Sequence, residues 1–268
     1  AWLIIPTTII SAQQPAVQDT LWRTLAPGVI SLPDIRETSP SMTAEGNTLV
    51  FARTEDWKNK VPYIATRTNR KAEWQVKRLP FADTLYNLAI TPDGQSIFFK
   101  QYDMVDTLKV SRVYRVDKTA AGWSEPRELK NLFNINAGYF CPLADGRLYF
   151  FARPESGRGI FYTEPQPDGT YGDPQRLAEH ITSFDICMHP DEDKFIYGEY
   201  FSDEEFEAGK GSRGFYLYRK TAEGWDKGEF IEELPYGWGA TVTPDEDLIF
   251  VDAGDLQMVP LEALGIEW

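Results

Sequence analysis

Five stretches of the chain align with one another without a gap, and a chain that repeats itself at this interval is confined to a short menu of architectures. They are residues 41–51 (SMTAEGNTLVF), 89–99 (AITPDGQSIFF), 141–151 (CPLADGRLYFF), 187–197 (CMHPDEDKFIY) and 241–251 (TVTPDEDLIFV). Their acidic positions, Glu45, Asp93, Asp145, Asp191 and Asp245, are 48, 52, 46 and 54 residues apart. In each, a short strand runs into Thr-Pro-Asp-Gly or a relative of it, and an apolar or aromatic triplet follows. Proline presets φ for the first turn position, Asp and Gly accept the tight turn, and the unit is a β-hairpin. The residue four before the acid is always small: Ser41, Ala89, Cys141, Cys187 and Thr241. Small side chains suit an inner strand crowded near a central axis. The next residue is apolar in four copies, with Pro142 the exception.

A second strand pair follows each of the first four hairpins. These pairs are residues 62–66 with 74–79, 112–116 with 125–129, 159–163 with 173–177, and 214–219 with 229–234. The turns that join them carry Glu73-Trp74, Gly122-Trp123 and Gly224-Trp225, read as aromatics packing at the outer edge. Four strands per unit make one blade, and the whole is predicted to be an all-β, five-bladed β-propeller of four-stranded antiparallel blades. The blades fall at about 39–80, 86–130, 138–178, 184–234 and 238–265, within a single domain over 20–268. The fifth has only three strands of its own (240–243, 248–252, 256–261). Residues 25–32 (LAPGVISL) are expected to supply the missing outer strand, so that the N-terminal strand closes the last blade and hides its edge.

Thr91-Pro92-Asp93-Gly94, Ala144-Asp145-Gly146, His189-Pro190-Asp191 and Thr243-Pro244-Asp245, each followed by an aliphatic-aromatic triplet, resemble the WD40-like PD40 repeat of TolB-type propellers. The first copy departs from the pattern with Ala44-Glu45-Gly46. The fourth and fifth put Glu192 and Glu246 where glycine is usual. The resemblance implies a periplasmic or secreted propeller, often a protein-binding or cell-envelope scaffold.

A formal net charge of −14 argues against nucleic acid as a partner, because that affinity is largely counterion release by clustered Lys and Arg. Residues 1–14 open with an apolar stretch (AWLIIPTTIISA) ahead of Gln13 and Gln14, expected to be a signal-peptide remnant or an N-terminal arm. Proline and threonines interrupt it, and no other apolar run is long enough for a transmembrane span.

The inner-strand mouths and the neighbouring loops share one face of a propeller. That face is assigned Arg36, Glu37, Tyr86, Asn136, Tyr139, Asp185, Tyr236 and Trp238, together with Arg53, Trp57, Tyr102, Arg153, Glu199 and Tyr200. Aromatic rings beside Arg and carboxylates suit stacking on a sugar or anchoring a peptide. No GxSxG elbow occurs, and His180 and His189 have no evident nucleophile to serve. Two cysteines and two separated histidines support no zinc site, and no cofactor is expected. The equivalent Cys141 and Cys187 invite a disulfide, although small size alone explains them. The acidic loop 202–207 (SDEEFE) reads as a cation site, a cover for the central opening, or solvated surface. The leading expectation is a non-catalytic binding or scaffold propeller of the cell envelope, with a protein or glycan partner. The alternative is a carbohydrate-active enzyme, glycosidase or lyase, whose carboxylates would be drawn from Glu37, Asp185 and Glu199 across an axial pocket.

Overall fold

The computed structural model describes residues 21–182, 184–200, 204, 207 and 211–268. The N-terminal stretch 1–14 and most of the acidic loop lie outside the described residues. Five antiparallel sheets follow one another around an axis. Their inner strands are Arg36–Met42, Tyr86–Ile90, Gly138–Pro142, Phe184–Met188 and Trp238–Val242. The all-β, five-bladed propeller is therefore the observed fold.

Each inner strand meets its blade's second strand through the predicted turn, and the turn chemistry is visible in side chains. In blade 2, Thr91 Oγ1 donates to Asp93 Oδ1 at 2.6 Å, and the Gln95 N–H donates to the same carboxylate oxygen at 2.9 Å. In blade 3, Arg147 N–H donates to Asp145 Oδ1 at 2.9 Å. The residue after the acid has positive φ in every copy: Gly46 71°, Gly94 70°, Gly146 91°, Glu192 57° and Glu246 60°. The backbone turn is thus kept where the glycine is not.

The core lies between blades rather than within any one of them. The second strands Thr48–Thr54, Ser96–Val105, Leu148–Ala152, Lys194–Glu199 and Asp247–Asp252 bring Phe51, Phe98, Phe99, Phe150, Phe195, Tyr197 and Phe250 into full burial. Alternate residues face opposite neighbours: Phe98 joins Phe150 between blades 2 and 3, while Phe99 joins Val50 between blades 1 and 2. The tryptophans of the outer turns pack inward. Trp225 lies edge-on to Phe195 at 4.7 Å, and Trp123 to Phe81 at 6.2 Å.

Closure uses the N-terminal segment, with a shift from the expected residues. The outer strand of blade 5 is Arg23–Thr24, paired with Met258 and Gln257, and Leu25 N–H extends the ladder to Leu256 O. Residues 26–32 instead turn away across blade 1. Pro27 offers no N–H to a ladder and Gly28 has φ 78°, so the strand cannot continue through them. Leu25 and Ile30 are buried against Phe51, Ile249 and Val251, which stitches the last blade to the first.

Candidate active site

All five inner strands carry a bulge at the same place. The register breaks between Thr38 and Ser41, Tyr86 and Ala89, Gly138 and Cys141, Phe184 and Ile186, and Trp238 and Thr241. The residue at the break has left-handed φ in every blade: Ser39 56°, Asn87 52°, Tyr139 53°, Asp185 76° and Gly239 72°. A bulge re-aims a side chain, and here it sets five equivalent positions around the axis. They close the inner end of an axial cavity of about 390 Å³, whose other end is lined by Thr43, Pro92, Pro190, Pro244 and Trp268 at the Thr-Pro-Asp turns.

Asp185 is the carboxylate of that ring. It is buried, and its Oδ2 accepts Gly239 N–H at 2.5 Å and Ala240 N–H at 3.1 Å. Loss of solvation outweighs those two bonds and pushes its pKa up to about 7. Tyr139, beside the Asn87 side chain, is held far above the usual phenol range by burial and by the nearby Asp185. Gly138 keeps this corner open. A Cβ there would lie 2.5 Å from Asn87 Oδ1 and 3.3 Å from Lys100 Nζ.

Above the ring, the predicted aromatics form a belt. Trp57 and Trp238 are 5.7 Å apart, Trp238 and Tyr236 6.3 Å, Tyr236 and Tyr200 6.0 Å, and Tyr200 and Phe184 6.4 Å. Phe184 continues to Tyr139 at 5.2 Å. On the other side Tyr86 meets Tyr102 at 5.2 Å, and Lys60 Nζ bridges to Trp57, lying 5.3 Å from the Tyr86 ring and 5.9 Å from the Trp57 ring. Arg36 stacks on Trp57 at 5.4 Å and donates to Glu55 O at 2.5 Å. Asn136 Oδ1 accepts from Tyr102 Oη at 2.9 Å and Lys100 Nζ at 3.1 Å. Arg153 is exposed, stacked on Phe151 at 5.3 Å.

Three of the sequence's candidates take up other positions. Glu37 is buried in the body of blade 1. Its Oε1 accepts Leu32 N–H at 3.3 Å and lies 3.4 Å from Arg53 Nε, while Arg53 Nη2 donates to Val29 O and Ile30 O at 2.7 and 2.8 Å. Both residues hold the closing segment in place. Desolvation raises the Glu37 pKa to about 7 in spite of Leu32 and Arg53. Glu199 is buried beside Tyr216 and Tyr218, whose hydroxyls are disfavoured from ionising by burial and, after it, by the Glu199 charge. Of the three carboxylates named from sequence, Asp185 alone lines the axial cavity.

Cys141 and Cys187 are free thiols in the wall of the same cavity, and their sulfurs accept from Met188 N–H and Val242 N–H. Sequence reasoning overlooked Lys60, Lys100 and Lys109, because a lysine in a strand or hairpin reads as surface. The bulge had a usable signal: Ser39, Asn87, Tyr139, Asp185 and Gly239 all stand two residues before the small position.

The molecule is thus a five-bladed propeller with a buried acid at its axis and an aromatic belt over it. No protein-family model matches the chain, and no curated protein matches its sequence. Among solved structures it is similar to a mannose phosphorylase from Leishmania mexicana, in complex with phosphate ion, at 13% identity and TM-score 0.52, covering 91% of this chain and 89% of that one. It is also similar to a structure from the mannoside phosphorylase family, which contains hydrolases that target β-1,2 mannosidic linkages (10% identity, TM-score 0.48, 83% of each chain). A third is the propeller domain of a protease from Pyrococcus furiosus (12% identity, TM-score 0.40, 82% of this chain and 64% of that one). The first of these corrects the expectation of a non-catalytic scaffold. The same fold, over nine-tenths of both chains, is that of an enzyme, so propeller architecture gives no ground for assigning a passive role.

Proposed function

We propose that this protein is a carbohydrate-active enzyme that breaks a glycosidic bond at the propeller axis, with Asp185 as general acid. The carrying observation is Asp185 itself: a buried carboxyl, pKa about 7, in the wall of an axial cavity and anchored by two backbone amides. Cleavage needs a proton delivered to the leaving oxygen, and an acid titrating near neutrality both holds that proton and releases it. Two backbone amides on one carboxylate oxygen fix the group in position. The aromatic belt, which lies across the bulge ring from this cavity, supports a sugar reading, since flat rings with polar rims stack on pyranose faces. The mannose phosphorylase of similar fold lends the substrate class, and Asp185 supplies the chemistry.

The opposed pair suggested by the sequence, Glu37 with Asp185, forms no part of this mechanism. Glu37 is committed to Leu32 and Arg53, and the remaining carboxylate of the cavity wall, Glu246, belongs to a turn. The reading therefore assigns Asp185 the proton and leaves the attacking group to come from solvent or a second substrate. The PD40-type repeat turns support membership of the TolB-type propellers and, with it, a periplasmic or secreted setting.

The test is turnover on a panel of glycans, with and without phosphate, reading reducing ends and sugar phosphates. Asp185→Asn retains an oxygen acceptor for Gly239 and Ala240 and should lower kcat by about 100-fold or more. Wild-type activity should fall as pH rises through about 7, as Asp185 gives up its proton. Glu37→Gln should leave kcat unchanged. Full turnover in Asp185→Asn would remove the proposal.

A further inference from the structure

The chain carries 41 acidic residues against 27 basic ones, and many of its arginines are spent on carboxylates: Arg112 on Asp103 and Glu128, Arg147 on Glu164 and Glu192, Arg219 on Glu229. Of the cations outside that pattern, four gather at the mouth of blades 1 to 3. Lys60, Lys100, Lys109 and Arg153 have no ion-pair partner among the described residues. Lys100 is the most unusual, because its side chain is buried at 6% exposure. Its ammonium has three donors, and its hydrogen bond is to the neutral Asn136 Oδ1 at 3.1 Å. The Tyr102 ring is 5.1 Å from Lys100 Nζ and 4.2 Å from Lys109 Nζ. A cleft of about 670 Å³ opens beside Tyr102, lined by Asp83, Thr84, Tyr86, Gln101, Tyr102 and, of the four cations, Lys109; the one carboxylate in its wall, Asp83, is paired with Arg78 at 2.6 Å.

Like charges repel. Burial, and after it the charges of Lys60, Arg153 and Lys109, lower the Lys100 pKa to about 7. A buried ammonium without a carboxylate is destabilising, and it persists where something else repays it. The unpaired cations, the cleft and the aromatic face need one kind of occupant to balance them.

We infer that this mouth is an oxyanion subsite, formed around Lys100, Lys60, Lys109 and Arg153 with Tyr102 as its aromatic floor, which receives a phosphate or a sugar-borne carboxylate. Its position ties it to the axis, since Lys100 Nζ and Asn87 Oδ1 both crowd the space over Gly138, and Asn87 and Tyr139 line the axial cavity. The sugar half of this inference rests on the glycan reading above, and the anion half does not. An anion here is either the second substrate or a charged group of the glycan itself.

The test is calorimetric titration and thermal unfolding of the full chain at constant ionic strength. The probes are inorganic phosphate, a galacturonate oligomer and an uncharged mannose oligomer. Wild type should bind at least one of the two anions and unfold at a higher temperature with it. Lys100→Met should weaken that affinity about tenfold or more, the loss of a charge-assisted contact. The same variant should be more stable than wild type in anion-free buffer, because the substitution removes a desolvated charge, whereas a structural lysine would give the opposite change. Lys109→Ala, at an exposed position, should weaken binding with the fold intact. Phosphate binding alone identifies a free ion, and galacturonate alone a sugar-borne one. Anion affinity equal in wild type and both variants, or absent altogether, overturns the subsite. If the uncharged oligomer binds while neither anion does, the subsite fails and the glycan reading stands. If an anion binds and no glycan of either charge is bound or cleaved, the subsite stands and the glycan reading fails.

Discussion

Glu192 and Glu246 stand at turn positions where the first three blades have glycine, and both adopt left-handed φ of 57° and 60°. That conformation is strained for a residue with a Cβ, by about 1 kcal/mol or somewhat more. The two differ in what offsets it. Glu192 accepts hydrogen bonds from Arg147 and Tyr149 of the preceding blade, which buttress the junction of blades 3 and 4. Glu246 lines the open end of the axial cavity and is exposed. Glu246→Gly should therefore stabilise the protein by about 1 kcal/mol, seen as a rise of about 2 °C in Tm. Glu192→Gly, which relieves the same strain but forfeits the Arg147 and Tyr149 bonds, should be neutral or destabilising. Equal stabilisation by both would show that the bonds to Glu192 contribute nothing.

At the level of the strand, the small position beside the axis proves to be an acceptor or donor site as well as a space-saving one. Inner strands of neighbouring blades do not pair, so their inward N–H groups need other partners. Ile90 N–H donates to Ser41 Oγ at 3.1 Å, Met188 N–H to Cys141 Sγ at 3.3 Å, and Val242 N–H to Cys187 Sγ at 3.3 Å. Thr241 Oγ1 closes the circle by donating to Pro40 O at 3.0 Å. Ala89 has no such heteroatom, and the position it would serve in blade 3 is Pro142, which has no N–H. The two irregularities of the repeat cancel each other. Ser41→Ala should cost about 1–3 kcal/mol in a denaturant titration, because Ile90 N–H is left buried without a partner. Ala89→Ser should gain nothing comparable, since Pro142 has no hydrogen to give. Equal effects from the two substitutions would refute this account of the ring.

Across the whole molecule, three buried ionisable groups shape stability against pH. Asp185 and Glu37 have folded pKa values near 7, above their usual 3.8 and 4.5. The folded state then holds more protons than the unfolded one between about 4 and 7, so their contribution to stability falls as pH rises through that window. Lys100 is lowered from 10.5 to about 7, so the folded state holds fewer protons above 7 and its contribution rises between about 7 and 10. The wild-type curve minus that of Asp185→Asn should slope downward from pH 4 to 7, and the curve minus that of Lys100→Met should slope upward from 7 to 10. Denaturant midpoints measured at intervals of one pH unit suffice, and flat difference curves would show that these groups are solvated in the folded protein.

The repeat alone determined the fold class, the blade count and the two-ended closure, because a hairpin's turn residues and alternating core residues are local and each copy restates them. It also placed Trp57, Tyr86, Tyr102, Tyr139, Asp185, Tyr236 and Trp238 on one face, since strand order maps sequence to face directly. What it left undecided was direction and neighbourhood. Glu37 and Asp185 both sit early in inner strands, yet one turns into the blade to bind Leu32 and Arg53 while the other, re-aimed by a bulge at φ 76°, reaches the axis. A one-residue change of register moves a side chain to the opposite face of a strand, so a bulge decides this more than residue type does. Lys100 makes the same point: Tyr102 and Lys109 reach it within its own hairpin, but Lys60, Asn136 and Arg153 come from the blades on either side and meet it only when those blades pack together.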